Sequence, residues 1–183
     1  MADQRAPAAA SAVTAATLRG YARGMPDSIK SPRPRDDKRY PRGTAYHEAG
    51  HAVVAWSFGL QVGTISVLAD DASGSTQIAP ANHLGLVEQI AVCAAGYTAE
   101  KMFDYHTHYY ATVGDYDRIR KLLEDHGISK GEEAAALRSK GVDCARDRLL
   151  ANRAAVIRLV ERLVQSGSIG EAEFRRLMEE NGK

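Results

Sequence analysis

Between Glu48 and Asp70 the chain carries no Asp, Glu, Lys or Arg, and this gap begins inside the segment AYHEAGHAVVAW, residues 45–56. A helix that is apolar nearly all round is a buried helix. Any fold available to this sequence must therefore bury residues 45–56 together with His47, Glu48 and His51. An unpaired carboxylate in such a place costs several kcal/mol unless something compensates it.

The spacing indicates what the compensation is. Positions four apart on a helix stand one above the other on the same face, so the imidazoles of His47 and His51 can converge on one tetrahedral zinc ion. Glu48 lies beside them, outside the ligand set, where it can hold a metal-bound water, take its proton and pass it to a leaving amine. H-E-x-x-H on a helix is the zinc metalloprotease signature. The metzincin continuation needs a glycine at 54 and a histidine at 57, and the chain has Val54 and Ser57. A catalytic zinc takes three protein ligands and keeps an open position. The residues alone leave several candidates for the third: Glu100, Asp115, Asp117 and the loop pair His106 and His108.

The 183 residues suit one domain with an appendage. Residues 25–43 hold four of the six prolines with mixed charge, a composition that cannot bury enough apolar surface to order itself. Residues 1–43 read as a disordered Ala-rich tail and Pro/Arg-rich linker, and 44–183 as the folded domain. Within the domain the patterns predict a helix over 44–58, a strand over 61–69 and a second hairpin strand at 75–79. A long helix follows from about Asn82 to Phe103, and another opens with Asp115 as its N-cap. A short polar helix over 131–139, an amphipathic helix over 143–165 and a last short helix complete the chain. The expected fold is mainly α (α+β): a zincin-like helical domain with one small β-hairpin or sheet and a C-terminal helix pair. Cys93 and Cys144 read as small buried hydrophobes, and a reducing cytosol is the simpler reading of two cysteines. No window approaches the ~20 strongly apolar residues of a membrane helix. A net charge of +1, with only Tyr40 as an aromatic in the basic linker, argues against nucleic-acid binding.

TAYHEAGHAVVAW followed by strand, turn and strand resembles the protease domain of the FtsH-type membrane AAA+ metalloproteases. IAVCAAGYTAEKMF is similar to that family's Gly-Gly-Arg-x-Ala-Glu-Glu helix, GDYDRIRKLL to its Ser-Asn-Asp segment, and the last two helices to its C-terminal part. The likeness covers about residues 44–178. It implies zinc on His47 and His51, Glu48 as the catalytic glutamate, and Asp117 as the third ligand, with Asp115 in the capping role. A carboxylate in the first turn of a helix is well placed electrostatically, which agrees. Tyr97 and Lys101 depart from the family pattern, standing where it has arginine and a second glutamate.

The expectation is a zinc-dependent metalloendopeptidase with one zinc ion per chain, in which Glu48 activates a zinc-bound water to hydrolyse peptides or unfolded proteins. The strand over 61–69 would offer its edge to an extended substrate. A homo-oligomer or a separate ATPase partner is compatible with this reading. The alternative is a non-catalytic, zinc-containing interaction module of the same fold. No G-x-x-x-x-G-K-[ST] loop occurs in the sequence. Peptidase activity of the purified chain should therefore be the same with and without ATP, and ATP stimulation in a partner-free assay would contradict this.

Overall fold

A computed structural model describes residues 40–68, 73–105, 107, 109–128 and 130–180. Helix α1 spans Tyr40–Ser57, starting four residues before the expected Thr44, with Pro41 in its first turn. Proline is tolerated there because the first N–H groups of a helix have no partner within it. Gly59, at φ 76°, turns the chain out of the helix. The apolar gap then does what its composition requires. Every residue from Gly43 to Ala55 is buried, because α1 is enclosed by other elements on all sides.

Strand β1 (Val62–Val67) pairs antiparallel with β2 (Gly74–Ile78), so that Ile65 faces Thr76 and Val67 faces Gly74. A two-residue strand, β3 (Ser168–Ile169), pairs with the other side of β1 at Ile65 and Ser66. The strand order is β2-β1-β3. The strand expected at 61–69 is therefore the middle of a sheet and not its edge. Two residues are too short a run to show alternation, which is why β3 was not legible. The outer strands are β2 and the two-residue β3, and β2 offers the longer edge, on which no further strand packs among the described residues.

Helix α2 (Leu86–Phe103) crosses α1, and α3 (Tyr109–Asp125) and α4 (Glu132–Ala151) pack on α2. Helices α5 (Arg153–Ser166) and α6 (Glu171–Glu179) close the far side, where Phe174 meets the Trp56 ring edge-on. One apolar cluster surrounds α1, with Val53, Ile65, Leu149, Leu159 and Phe174 fully buried. A second joins α2, α3 and α4 through Ile90, Ile119, Leu123 and Ala134. The mainly helical α+β class is as expected, with three strands in place of the minimal hairpin.

Two helix boundaries differ from expectation. The helices expected at 131–139 and 143–165 are divided at Asn152, not near Gly141. Gly141 is not a break: a Cβ there would collide with the Ile90 side chain, so the glycine lets α4 lie close against α2. Helix α3 begins at Tyr109, six residues ahead of the expected N-cap, so Asp115 and Asp117 sit inside it. The tail and linker up to residue 39, and His106 and His108, lie outside the described residues. Among the described residues no helix is long and apolar enough to cross a membrane.

Helices α1 and α2 meet at Gly50, where an added Cβ would stand 2.7 Å from the Ala95 carbonyl oxygen and from the Ala99 Cβ. Gly→Ala inside a helix normally gains up to ~1 kcal/mol in propensity. Forcing two packed helices apart costs ~1–3 kcal/mol. Gly50→Ala should therefore lower stability in a denaturant titration. An increase would show that the crossing is looser than described.

Candidate metal centre

Three elements bring polar groups to one buried point. From α1 come His47, Glu48 and His51, which are 3%, 6% and 7% exposed. Helix α2 supplies a stripe at four-residue spacing: the Val92 carbonyl, Gly96 and the Glu100 carboxylate. Helix α3 supplies Asp115, buried on the same face as Ile119 and Leu123.

The hydrogen bonds fix the tautomers. His47 Nδ1 lies 2.7 Å from Glu100 Oε1, and His51 Nδ1 lies 2.8 Å from the Val92 carbonyl oxygen. An ionised carboxylate and a carbonyl only accept, so both Nδ1 atoms carry the proton and both Nε2 atoms present a lone pair. Those two Nε2 atoms are 3.2 Å apart, and Asp115 Oδ2 is 3.0 Å from the one on His51 and 3.2 Å from the one on His47. Three acceptors thus face one another across a buried space. Such an arrangement is repulsive unless a proton or a cation lies among them.

The fit to zinc is close. Ligands at ~2.0 Å in a tetrahedron are separated by about 3.3 Å, against 3.0–3.2 Å here. The space is kept open by Gly96, where a Cβ would lie 2.5 Å from His51 Nε2 and 2.6 Å from His47 Nε2. Imidazoles that donate their second N–H to a carboxylate or a carbonyl are the usual form of metal-bound histidine. His47, His51 and Asp115 are therefore a set able to hold a divalent metal ion.

The electrostatics of the three side chains agree. Burial works against a charge on His47, but hydrogen bonds to Asp115 and Glu100 and the fields of Asp115 and Glu48 outweigh it and raise the pKa from 6.5 to about 10. Burial likewise opposes the charge on Asp115, but the field of His51 and the close contacts with both imidazoles hold its carboxyl well below the usual range. The trio retains a proton that a cation would displace. Nearby, burial pushes the Cys93 thiol up to about 11, with the Asp115 field adding to the effect.

The structure brings His47, Glu48 and His51 together as expected, but it does not bring Asp117 to them. Asp117 is 58% exposed and pairs with Arg120 at 3.3 Å on the outer face of α3. Residues two apart on a helix point in nearly opposite directions, so only one of the two aspartates can face the histidines, and it is Asp115. The expected capping role for Asp115 fails because α3 starts six residues earlier. Glu100, one of the candidates for the third ligand, binds His47 Nδ1 and accepts a hydrogen bond from the Thr107 N–H at 2.9 Å. The Lys101 ammonium stands 5.4 Å over the Tyr97 ring.

A family model described as Peptidase M50B-like matches residues 43–106, a segment that takes in most of α1 together with β1, β2 and α2. A comparison with curated proteins finds no match. The chain is thus similar to a zincin-like metallopeptidase family, a likeness that supports a metallopeptidase in general and does not single out the FtsH type.

Asp115→Ala should weaken zinc binding by at least ~10-fold. Asp117→Ala should leave it unchanged and move stability by less than about 0.5 kcal/mol, as befits an exposed ion pair. Zinc titration of the two variants checks both. Loss of zinc in Asp117→Ala with retention in Asp115→Ala would reverse the assignment.

Proposed function

We propose that this chain is a zinc-dependent metalloendopeptidase. The observation that carries the reading is the convergence of three buried acceptor atoms, two imidazole nitrogens and one carboxylate oxygen, with a further carboxylate beside them. Two histidines and one aspartate leave an open position, as catalytic zinc sites do and closed structural sites do not. A zinc ion held there would make a water more acidic and polarise the carbonyl of a peptide bond.

The remaining work falls to residues of the chain. Glu48 follows His47 directly on α1 and is not among the three converging ligands. Its carboxylate takes the proton from the attacking water and delivers it to the nitrogen of the leaving amine. Glu100 and the Val92 carbonyl hold the two imidazoles in the tautomer that keeps Nε2 free. The substrate would be an extended peptide or an unfolded segment. With β1 flanked on both sides, the outer edge of β2 is where such a segment would add as a strand.

Glu48→Gln should keep zinc and fold while lowering the rate of peptide cleavage by ~10²–10⁴-fold, since an amide cannot accept the proton. His51→Ala should release the metal. Cleavage of a quenched peptide, metal content and a thermal melt of the three proteins are the measurements. Wild-type rate in Glu48→Gln would remove Glu48 from the mechanism. Zinc binding without cleavage of any peptide or unfolded protein would leave the interaction module as the reading.

A further inference from the structure

Strand β2 makes a second contribution, separate from any substrate. The Thr76 hydroxyl lies 2.6 Å from Glu48 Oε2 and 3.1 Å from the Glu48 backbone oxygen. A hydroxyl has one proton to donate, and a bond to an ionised oxygen is the shorter and stronger kind. The proton therefore goes to the carboxylate. Two residues earlier on the same strand, a Cβ at Gly74 would stand 2.6 Å from both Glu48 Cγ and Glu48 Oε1. The glutamate side chain occupies the room that this glycine leaves.

We infer that β2 sets the position of the Glu48 carboxylate, with Thr76 as a positioning residue that holds one oxygen and Gly74 as the gap into which the side chain fits. This rests on the reading of Glu48 as the general base. The strand is a firm mount for the purpose. Thr76 faces Ile65 and Gly74 faces Val67 on β1, and both partners are buried. Glu48 has three rotatable side-chain bonds, and a displacement of ~1 Å at a reacting group can cost about 10²-fold in rate. A carboxylate placed by its own rotamer preferences alone would not meet that tolerance. The hydroxyl of Thr76 supplies the constraint from an element that contributes no metal ligand.

The test compares Thr76→Val, Thr76→Ser and Gly74→Ala in the full zinc-loaded chain. Valine keeps the β-branched shape suited to a strand and removes only the hydroxyl. Thr76→Val should lower kcat by about 10- to 100-fold with KM and zinc content nearly unchanged. Thr76→Ser should restore kcat. Gly74→Ala should lower kcat with Thr76 intact, because its methyl group displaces the carboxylate. Crystal structures of the parent and of Thr76→Val give a readout independent of turnover: the Glu48 carboxylate should leave β2 in the variant. Failure of the parent to cleave any peptide defeats the peptidase reading, while the carboxylate position in the two structures still decides the role of Thr76. Parent-like kcat in both Thr76→Val and Gly74→Ala, or an unmoved Glu48 in the Thr76→Val structure, would overturn the inference.

Discussion

Three lone pairs pointed at one another inside a protein are the constraint on which the rest of this structure depends. His47 Nε2, His51 Nε2 and Asp115 Oδ2 lie 3.0–3.2 Å apart in a region with little solvent. None of them can donate to another once the two Nδ1 protons are committed to Glu100 and Val92. The hydrogen bonds to Asp115 and Glu100 and the fields of Asp115 and Glu48 favour a proton on His47, against the burial that opposes it. Filled with a divalent cation, the same geometry changes from repulsive to strongly attractive.

Helix α2 is the element that makes this affordable. Its residues at 92, 96 and 100 fall four apart and so line one face. The first gives a carbonyl to His51, the second gives empty space beneath both rings, and the third gives a carboxylate to His47. Glu100 is itself satisfied by the Thr107 N–H, which keeps a second buried charge from being left unpaired. The close approach of α1 to α2 at Gly50 serves the same end, since a wider crossing would carry the imidazoles away from their partners.

The part of the site carried by one helix was legible in the sequence, because the i, i+4 spacing of His47 and His51 is a local property. The third group was harder, because it depends on where another helix begins. The family resemblance implies Asp117 for that place, with Asp115 as the cap. With α3 starting at Tyr109, the phase is set by Ile119 and Leu123, and counting back by fours arrives at Asp115. That periodicity was present in the sequence and outweighs the capping preference, which any aspartate satisfies. Glu100 could have been found in the same way, from its spacing to Gly96 and Val92. Thr76 could not, since nothing in the sequence of a half-exposed strand tells which residue of a distant helix it will face. The same holds for β3, whose two residues are a strand only because β1 is beside them.

The similarity to the M50B-like peptidases and the geometry overlap only in part, and that gives the site its strength. The matched segment, residues 43–106, contains the histidines, Glu48 and Glu100 and ends before α3 begins. Asp115 lies outside it. The third acceptor is thus placed by packing alone, through the apolar cluster that joins α2 to α3 at Ile90, Ile119 and Leu123. A buried aspartate with no chemical task would be a costly residue to set into that cluster, where an apolar side chain would pack without desolvating a charge. Its carboxylate arrives at the distance from both imidazoles that a tetrahedral ion requires. Two independent features of the chain, a local motif on α1 and the helical phase of α3, therefore meet at a single point.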